Sequence, residues 1–234
     1  MLSIDLFGLA SRLIPEKLLH KLIRLGAVLI FSLMLYKRMQ EYHLFYVKPL
    51  WFMETLVYFV LMTAFLVRTD PVDRSQGIRE VIIPLVGSII PFALLCSPPA
   101  TWIIKNRTYL LIAFWLMTAS TAFTVWGMWT LRRSFSITVE ARALVTTGPY
   151  RFIRHPIYLG EILSSCAVAF WRFSSWNLAI LMIFVVIQIA RSRWEERKLE
   201  KNFPEYGKYA SKAWWVLQAR GSAHPTDRST RILV

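Results

Sequence analysis

Six apolar stretches, separated by polar or basic links, set the plan of this chain; they cover about residues 22–36, 50–67, 81–96, 109–131, 157–171 and 176–190. The fourth is the longest and carries no charged side chain, while only Arg172, Phe173, Ser174 and Ser175 separate the last two. A helix needs roughly 20 mostly apolar residues to cross a bilayer, and so short a link between two such runs makes an antiparallel helical hairpin. The pattern therefore predicts an all-α fold, a polytopic transmembrane helical bundle of about six spans with a C-terminal helical hairpin. Pro84 and Pro91 predict a kink in the third span. Residues 1–21 read as an amphipathic or irregular lead, with Pro15 and Glu16 at a helix start. Residues 218–234 lack apolar periodicity and are expected to be disordered. No internal repeat is visible.

Composition agrees with this plan. Of 234 residues, 56% are apolar and 18% charged, against about 45–50% and about 25% in a typical soluble domain. The 10 tryptophans suit interfacial belts as well as lipid-facing packing. A net charge of +14 would in a soluble protein point to nucleic acid, but no recognition module accompanies it. The basic residues instead follow topology. If both termini face the cytoplasm, the inside segments carry 21 Lys and Arg and the outside loops 6. No nucleic-acid partner is expected, and the membrane is. Cys96 and Cys166 lack a CxxC partner, and His20, His43, His155 and His224 are scattered, so neither a disulfide framework nor a metal site is expected. Asp5 stands early, and no cleavable signal peptide is expected. No two glycines come within two residues of each other, which excludes the G-x-G-x-x-G route to a nucleotide cofactor.

Chemistry concentrates in two stretches. After the fourth span come Arg142-Ala143-Leu144-Val145-Thr146-Thr147-Gly148-Pro149-Tyr150 and then Arg151-Phe152-Ile153-Arg154-His155-Pro156-Ile157-Tyr158-Leu159-Gly160-Glu161. Gly148-Pro149 signals a turn, and Pro156 suits the first turn of a helix. Arg151, Arg154 and His155 gather at the mouth of the fifth span, where they can hold an anionic or zwitterionic headgroup; snorkelling arginines beside a helix-starting proline would look the same. The second stretch follows the hairpin. Arg191 and Glu195 stand four apart, on one face of a helix one turn beyond the apolar run. An exposed ion pair worth a few tenths of a kcal/mol is the alternative there. Glu54 lies inside the second span, where an acid is costly unless paired or water-facing; it is a candidate wall of a substrate cavity or a cap on helix packing.

Taken in order, Leu144-Val145-Thr146-Thr147-Gly148-Pro149-Tyr150, Arg154-His155-Pro156-x-Tyr158-x-Gly160, the apolar hairpin, Glu195-Glu196 and an aromatic-rich tail closely resemble the isoprenylcysteine carboxyl methyltransferase family, whose core the phospholipid N-methyltransferases share. The resemblance is specific over about residues 132–209. It implies residues 1–131 as N-terminal spans, 132–217 as a methyltransferase core with a cytosolic cofactor-covering segment, and 218–234 as a tail. It implies S-adenosyl-L-methionine as cofactor and S-adenosyl-L-homocysteine as product, bound at the cytosolic face by Arg142, Ala143, Leu144, Val145, Tyr150, His155, Pro156, Ile157 and Tyr158. Arg191 and Glu195 fall at the family's substrate-side arginine and glutamate. The family's usual closing segment is replaced here by Trp214-Trp215-Val216-Leu217.

The implied substrate is a lipid or a lipidated small molecule or protein. A carboxylate acceptor needs no general base and would be held by the Arg191 fork, with Glu195 aiming that arginine. An amine acceptor must lose a proton, and Glu195 would then be base or cation anchor. The arginine on the same face favours the carboxylate, with an aminolipid N-methyltransferase as alternative. A non-catalytic transporter or scaffold is the reading from another class.

Overall fold

The computed structural model describes residues 16–44, 48–67, 69, 71–75 and 77–215. Among these, the architecture is helical, and pairing outside helices is limited to two isolated bridges, Asp73 with Ala141 and Ile153 with Trp214. The principal helices are α1 (Glu16–Gln40), α2 (Lys48–Val67), α3 (Gly77–Ile89), α4 (Thr101–Ile104), α5 (Arg107–Leu131), α6 (Pro156–Trp171), α7 (Ser175–Asn202) and α8 (Tyr206–Ala210). Four helical stretches among the described residues are long and apolar enough to cross a membrane: Lys48–Val67, Arg79–Cys96, Arg107–Ser134 and Ser175–Asn202. The chain is thus a polytopic helical membrane protein. The first expected span lies within α1, and the fifth forms α6, which is apolar but only 16 residues long. The expected tail, and all but the last residues of the expected lead, lie outside the described residues.

Local sequence explains the elements. Asn106 caps α5, its side-chain oxygen accepting from the backbone N–H groups of Thr108 at 3.0 Å and Tyr109 at 3.3 Å. Ser174 caps α7 through the N–H of Asn177 at 3.1 Å. The expected kink takes a definite form: Pro84 stays inside α3, whereas at Pro91 the helix tightens into a 3₁₀ segment, Ile90–Cys96, because a proline cannot donate the α-helical hydrogen bond. Helix α7 outruns its apolar stretch by twelve residues, to Asn202, since residues 191–202 are rich in Arg, Glu and Lys, all good helix formers.

The hairpin turn is pinned. Arg172 donates to the carbonyls of Leu95 and Ser97, and the fully buried Asn177 amide donates to Leu94 O at 3.2 Å, Ser97 Oγ at 2.7 Å and Arg172 O at 2.7 Å.

α5 packs along α6 through small residues, as helices in lipid do when backbones approach closely. A Cβ on Gly160 would lie 2.2 Å from Thr124 Oγ1 and 3.0 Å from Ser120 O, and one on Gly127 would lie 3.0 Å from Ile157 Cγ1. The buried hydroxyls on this face of α5 are satisfied within the helix: Thr118 donates to Phe114 O at 2.8 Å, Ser120 to Leu116 O at 2.7 Å and Thr124 to Ser120 O at 3.1 Å. The main apolar core joins α2, α5 and α6 through Val60, Phe65, Val125, Met128 and Ile157, with Phe135 and Trp215 closing it.

Candidate active site

Where α5 ends, the chain leaves the helix through Arg132, whose φ of 40° marks a sharp change of direction, and runs irregularly to α6. Backbone bonds tie this run down. Ala141 pairs with Asp73 (N–H to O, 3.0 Å) and returns its carbonyl to Val72 N–H at 2.7 Å, while Val139 donates to Glu80 O at 3.0 Å. Lys198 of α7 reinforces the seam through Val139 O at 3.1 Å and the Glu80 carboxylate at 2.6 Å. Gly148, at φ +57°, supplies the turn against Thr130 that a β-carbon would obstruct.

A cavity of about 940 Å³ lies between these segments and the helices. Arg142, Ala143, Leu144, Val145, Tyr150, His155, Ile157, Tyr158, Arg191 and Glu195 all line it. Pro156 is buried but does not form part of its wall; it occupies the first turn of α6, as its fixed φ favours. Glu54 lines the same cavity from α2 and is ion-paired with Arg38 of α1, which satisfies an acid otherwise costly in a span.

Two helix faces meet across the cavity. His155, Tyr158 and Glu161 recur every three residues around the start of α6; Gln188, Arg191 and Glu195 recur at intervals of three and four along α7. The His155 ring is stacked on Tyr158, 5.5 Å between centroids at 8°, and lies 5.0 Å from the Trp215 ring. Its Nε2 lies 3.2 Å from Glu196 Oε1, and its Nδ1 is 3.7 Å from Glu195 Oε2. Glu196 also takes Arg154 Nη1 at 2.9 Å. The Tyr158 hydroxyl donates to Glu195 Oε1. Arg191 is directed by other groups than the sequence implied. It donates from Nη1 to Gln188 Oε1 at 2.8 Å and from Nη2 to Ile137 O at 3.0 Å, with its guanidinium 4.8 Å from the Tyr158 ring centroid. Tyr158 thus links Arg191 to Glu195, in place of the expected direct pair. The three basic residues at the mouth of α6 also separate: Arg154 and His155 are buried, while Arg151 is exposed beside the Phe152 ring.

The C-terminal segment covers this arrangement. Trp214 N–H donates to Phe152 O at 2.8 Å, its carbonyl accepts from Arg154 N–H at 3.0 Å, and Trp215 Nε1 donates to Ser192 Oγ at 2.9 Å. From α8, the Tyr209 hydroxyl donates to Tyr150 O at 2.8 Å. Burial raises the Tyr209 hydroxyl to about 12, Glu196 adding to the rise and Arg154 opposing it, so the donor keeps its proton at neutral pH. Burial, followed by the charge of Glu195, likewise pushes Tyr150 well above the ordinary phenol range.

Glu161, Gln188, Glu196 and Trp215 are site members to which the sequence alone gave no task. A signal existed for two of them, since Glu161 is the lone acid in residues 157–171 and Gln188 stands near the end of an otherwise apolar run.

Residues 108–206 match the phospholipid methyltransferase family model. The match indicates a membrane methyltransferase. It supports the core that this family shares with the isoprenylcysteine carboxyl methyltransferases, and it covers α5, the connecting segment, α6 and α7, where the site residues lie. Two curated relatives are similar over shorter stretches. The nickel-cobalt-cadmium resistance protein NccN of Alcaligenes xylosoxydans xylosoxydans is 37% identical over 72 residues, 30% of this chain and 34% of that protein. The cobalt-zinc-cadmium resistance protein CzcN of Cupriavidus metallidurans is 37% identical over 68 residues, 29% of this chain and 32% of that protein. The chain thus matches about a third of the length of these relatives. No solved structure matches.

Proposed function

We propose that this protein transfers a methyl group from S-adenosyl-L-methionine to the amine headgroup of a lipid held within the membrane-spanning bundle. The observation that carries this reading is the single cavity in which residues 142–145, the His155–Tyr158 segment and the Arg191–Glu195 face of α7 meet. Its volume of about 940 Å³ falls at the upper end of ligand pockets, roughly 300–1,000 Å³. The residues present fit the cofactor. Arg142 is ion-paired with Glu140 through Nη2, while its Nε is buried without a hydrogen-bond partner on the cavity wall and suits an acceptor oxygen of the cofactor. His155, Tyr158 and Tyr150 line the cavity with aromatic groups that suit the adenine or ribose.

When bound, the sulfonium supplies an activated methyl group, so the chain's own residues contribute position, dryness and proton handling. Tyr150, His155 and the covering Trp214–Trp215 segment keep water from the cofactor end. An acceptor ammonium has to lose its proton before its nitrogen can attack. Glu195, fixed by the Tyr158 hydroxyl, is the group to take it, and His155 beside it leads to Glu196 and Arg154. The amine reading is supported by the carboxyl groups of Glu161 and Glu195 on the wall beside Arg191, whose own bonds are largely internal, and by the phospholipid methyltransferase match.

A specific observation favours carboxyl methylation as second reading: Arg191 Nε is buried without a partner, so one edge of the guanidinium has a donor to spare for a carboxylate. The test is transfer of labelled methyl from the cofactor to lipids in proteoliposomes. One set contains phosphatidylethanolamine, the other a fatty acid or a prenylated cysteine. A base-stable product in the first set supports the amine reading; volatile methanol released by base from the second set supports the ester reading. No transfer to either by protein that binds the cofactor overturns both.

A further inference from the structure

Glu161 is the acidic wall residue of α6, and the mechanism above gives it no task. It lies one helical turn deeper than Tyr158, inside an apolar helix, where an ionisable side chain is costly and by default marks function. Its partner fixes its orientation. The fully buried Gln188 amide is held between Arg191, a donor only, and Glu161, so its oxygen faces Arg191 (2.8 Å) and its NH2 donates to Glu161 Oε2. Glu161 therefore acts as an acceptor. Its other oxygen, Oε1, takes no hydrogen bond among the described residues, although Glu161 lines the cavity. Glu195 differs, because Tyr158 occupies one of its oxygens and His155 lies 3.7 Å from the other. Around the acceptor end, Arg191 faces the carboxyl groups of both Glu161 and Glu195.

We infer that Glu161 is the cation anchor of the acceptor site, its Oε1 receiving the charged nitrogen of the lipid headgroup and selecting cationic or zwitterionic acceptors over anionic ones. The inference rests on the amine reading and adds to it the residue that holds the amine. In the transfer, the acceptor nitrogen's lone pair bonds to the methyl carbon while the S–C bond breaks, its electron pair staying on sulfur. Positive charge passes from sulfur to nitrogen, where the Glu161 carboxylate meets it; the N–H proton has gone to Glu195 beforehand, which is what frees that lone pair. Glu161 exchanges no proton and gains no covalent bond.

The experiment compares the wild type with Glu161→Gln and Glu161→Asp in vesicles of phosphatidylcholine containing graded phosphatidylethanolamine. Cofactor affinity is measured by calorimetry on the same preparations. Glu161→Gln is expected to raise the KM for phosphatidylethanolamine by about tenfold or more, the scale of a lost charge-assisted contact. It should leave kcat less affected and the cofactor Kd within about twofold, a margin of about 0.4 kcal/mol, while Glu161→Asp recovers part of the KM. An unchanged KM in Glu161→Gln, with the wild type active on the amine, overturns this inference and leaves the amine reading standing. Equal loss of cofactor binding also overturns it and moves Glu161 to the cofactor. A wild type that forms only base-labile esters overturns both readings together.

Discussion

Arg191 and His155 sit at opposite ends of the same polar chain, and their environments separate their tasks. Arg191 is braced by Gln188 and Ile137 O on the acceptor side, so Arg191→Ala is expected to abolish methyl transfer while the cofactor affinity, read by calorimetry, stays within about threefold, under 1 kcal/mol. Equal loss of both would place Arg191 in the cofactor pocket. His155 is packed between Tyr158 and Trp215 and bonded to Glu196. His155→Ala removes that stack and leaves a buried carboxylate short of a partner, so cofactor affinity should fall first, by about tenfold or more; an unchanged Kd would dismiss the assignment. The spacing of Arg191 and Glu195 revealed a shared helix face. It could not reveal that Tyr158 stands between them, because that contact joins residues 37 apart and depends on how α6 leans on α7. Glu161 was legible only as an anomaly, an acid in an apolar run, and its partner Gln188 becomes visible once the hairpin is folded.

Among the elements, the α5–α6 contact is the most sensitive to added volume. Gly160→Val would drive a branched side chain into Thr124 and the Ser120 carbonyl, and a packed helix pair yields little. A loss of about 1–3 kcal/mol in stability is expected, the usual cost of overpacking, seen as a lower midpoint in thermal unfolding in detergent; an unchanged midpoint would mean that α5 and α6 part more readily than their packing implies. Helix existence was legible from apolar runs, and the hairpin from its short link. Helix ends were less so. The α7 extension to Asn202 has no apolar periodicity to announce it, and the change at Pro91 from α to 3₁₀ follows from a missing N–H whose effect depends on neighbouring turns.

At the scale of the whole molecule, the loop carrying Asp73 fastens the segment around Ala141 to the far end of α7. Burial works to raise the Asp73 carboxyl, but hydrogen bonds from Asn202 and Lys201 and the charge of Lys198 outweigh it and hold the group below its ordinary 3.8. A depressed carboxyl contributes stability that is present above the unfolded value and lost as pH falls through the folded one. Thermal midpoints should therefore drop as pH falls below 3.8, and Asp73→Asn should flatten that part of the profile; equal slopes in the two proteins would remove Asp73 as its source.

The pinned hairpin turn has a consequence for how the chain tolerates change in length. Asn177 fixes the start of α7 by three bonds, and Gln188 lies three turns further along the same helix. One residue inserted between them would rotate everything beyond by about 100°. Gln188, Arg191 and Glu195 would swing out of the cavity together toward hydrocarbon, where each is costly. Residues 178–187 thus act as a ruler: exposed members such as Met182, Ile183 and Val186 can exchange among apolar side chains, but the number of residues cannot change.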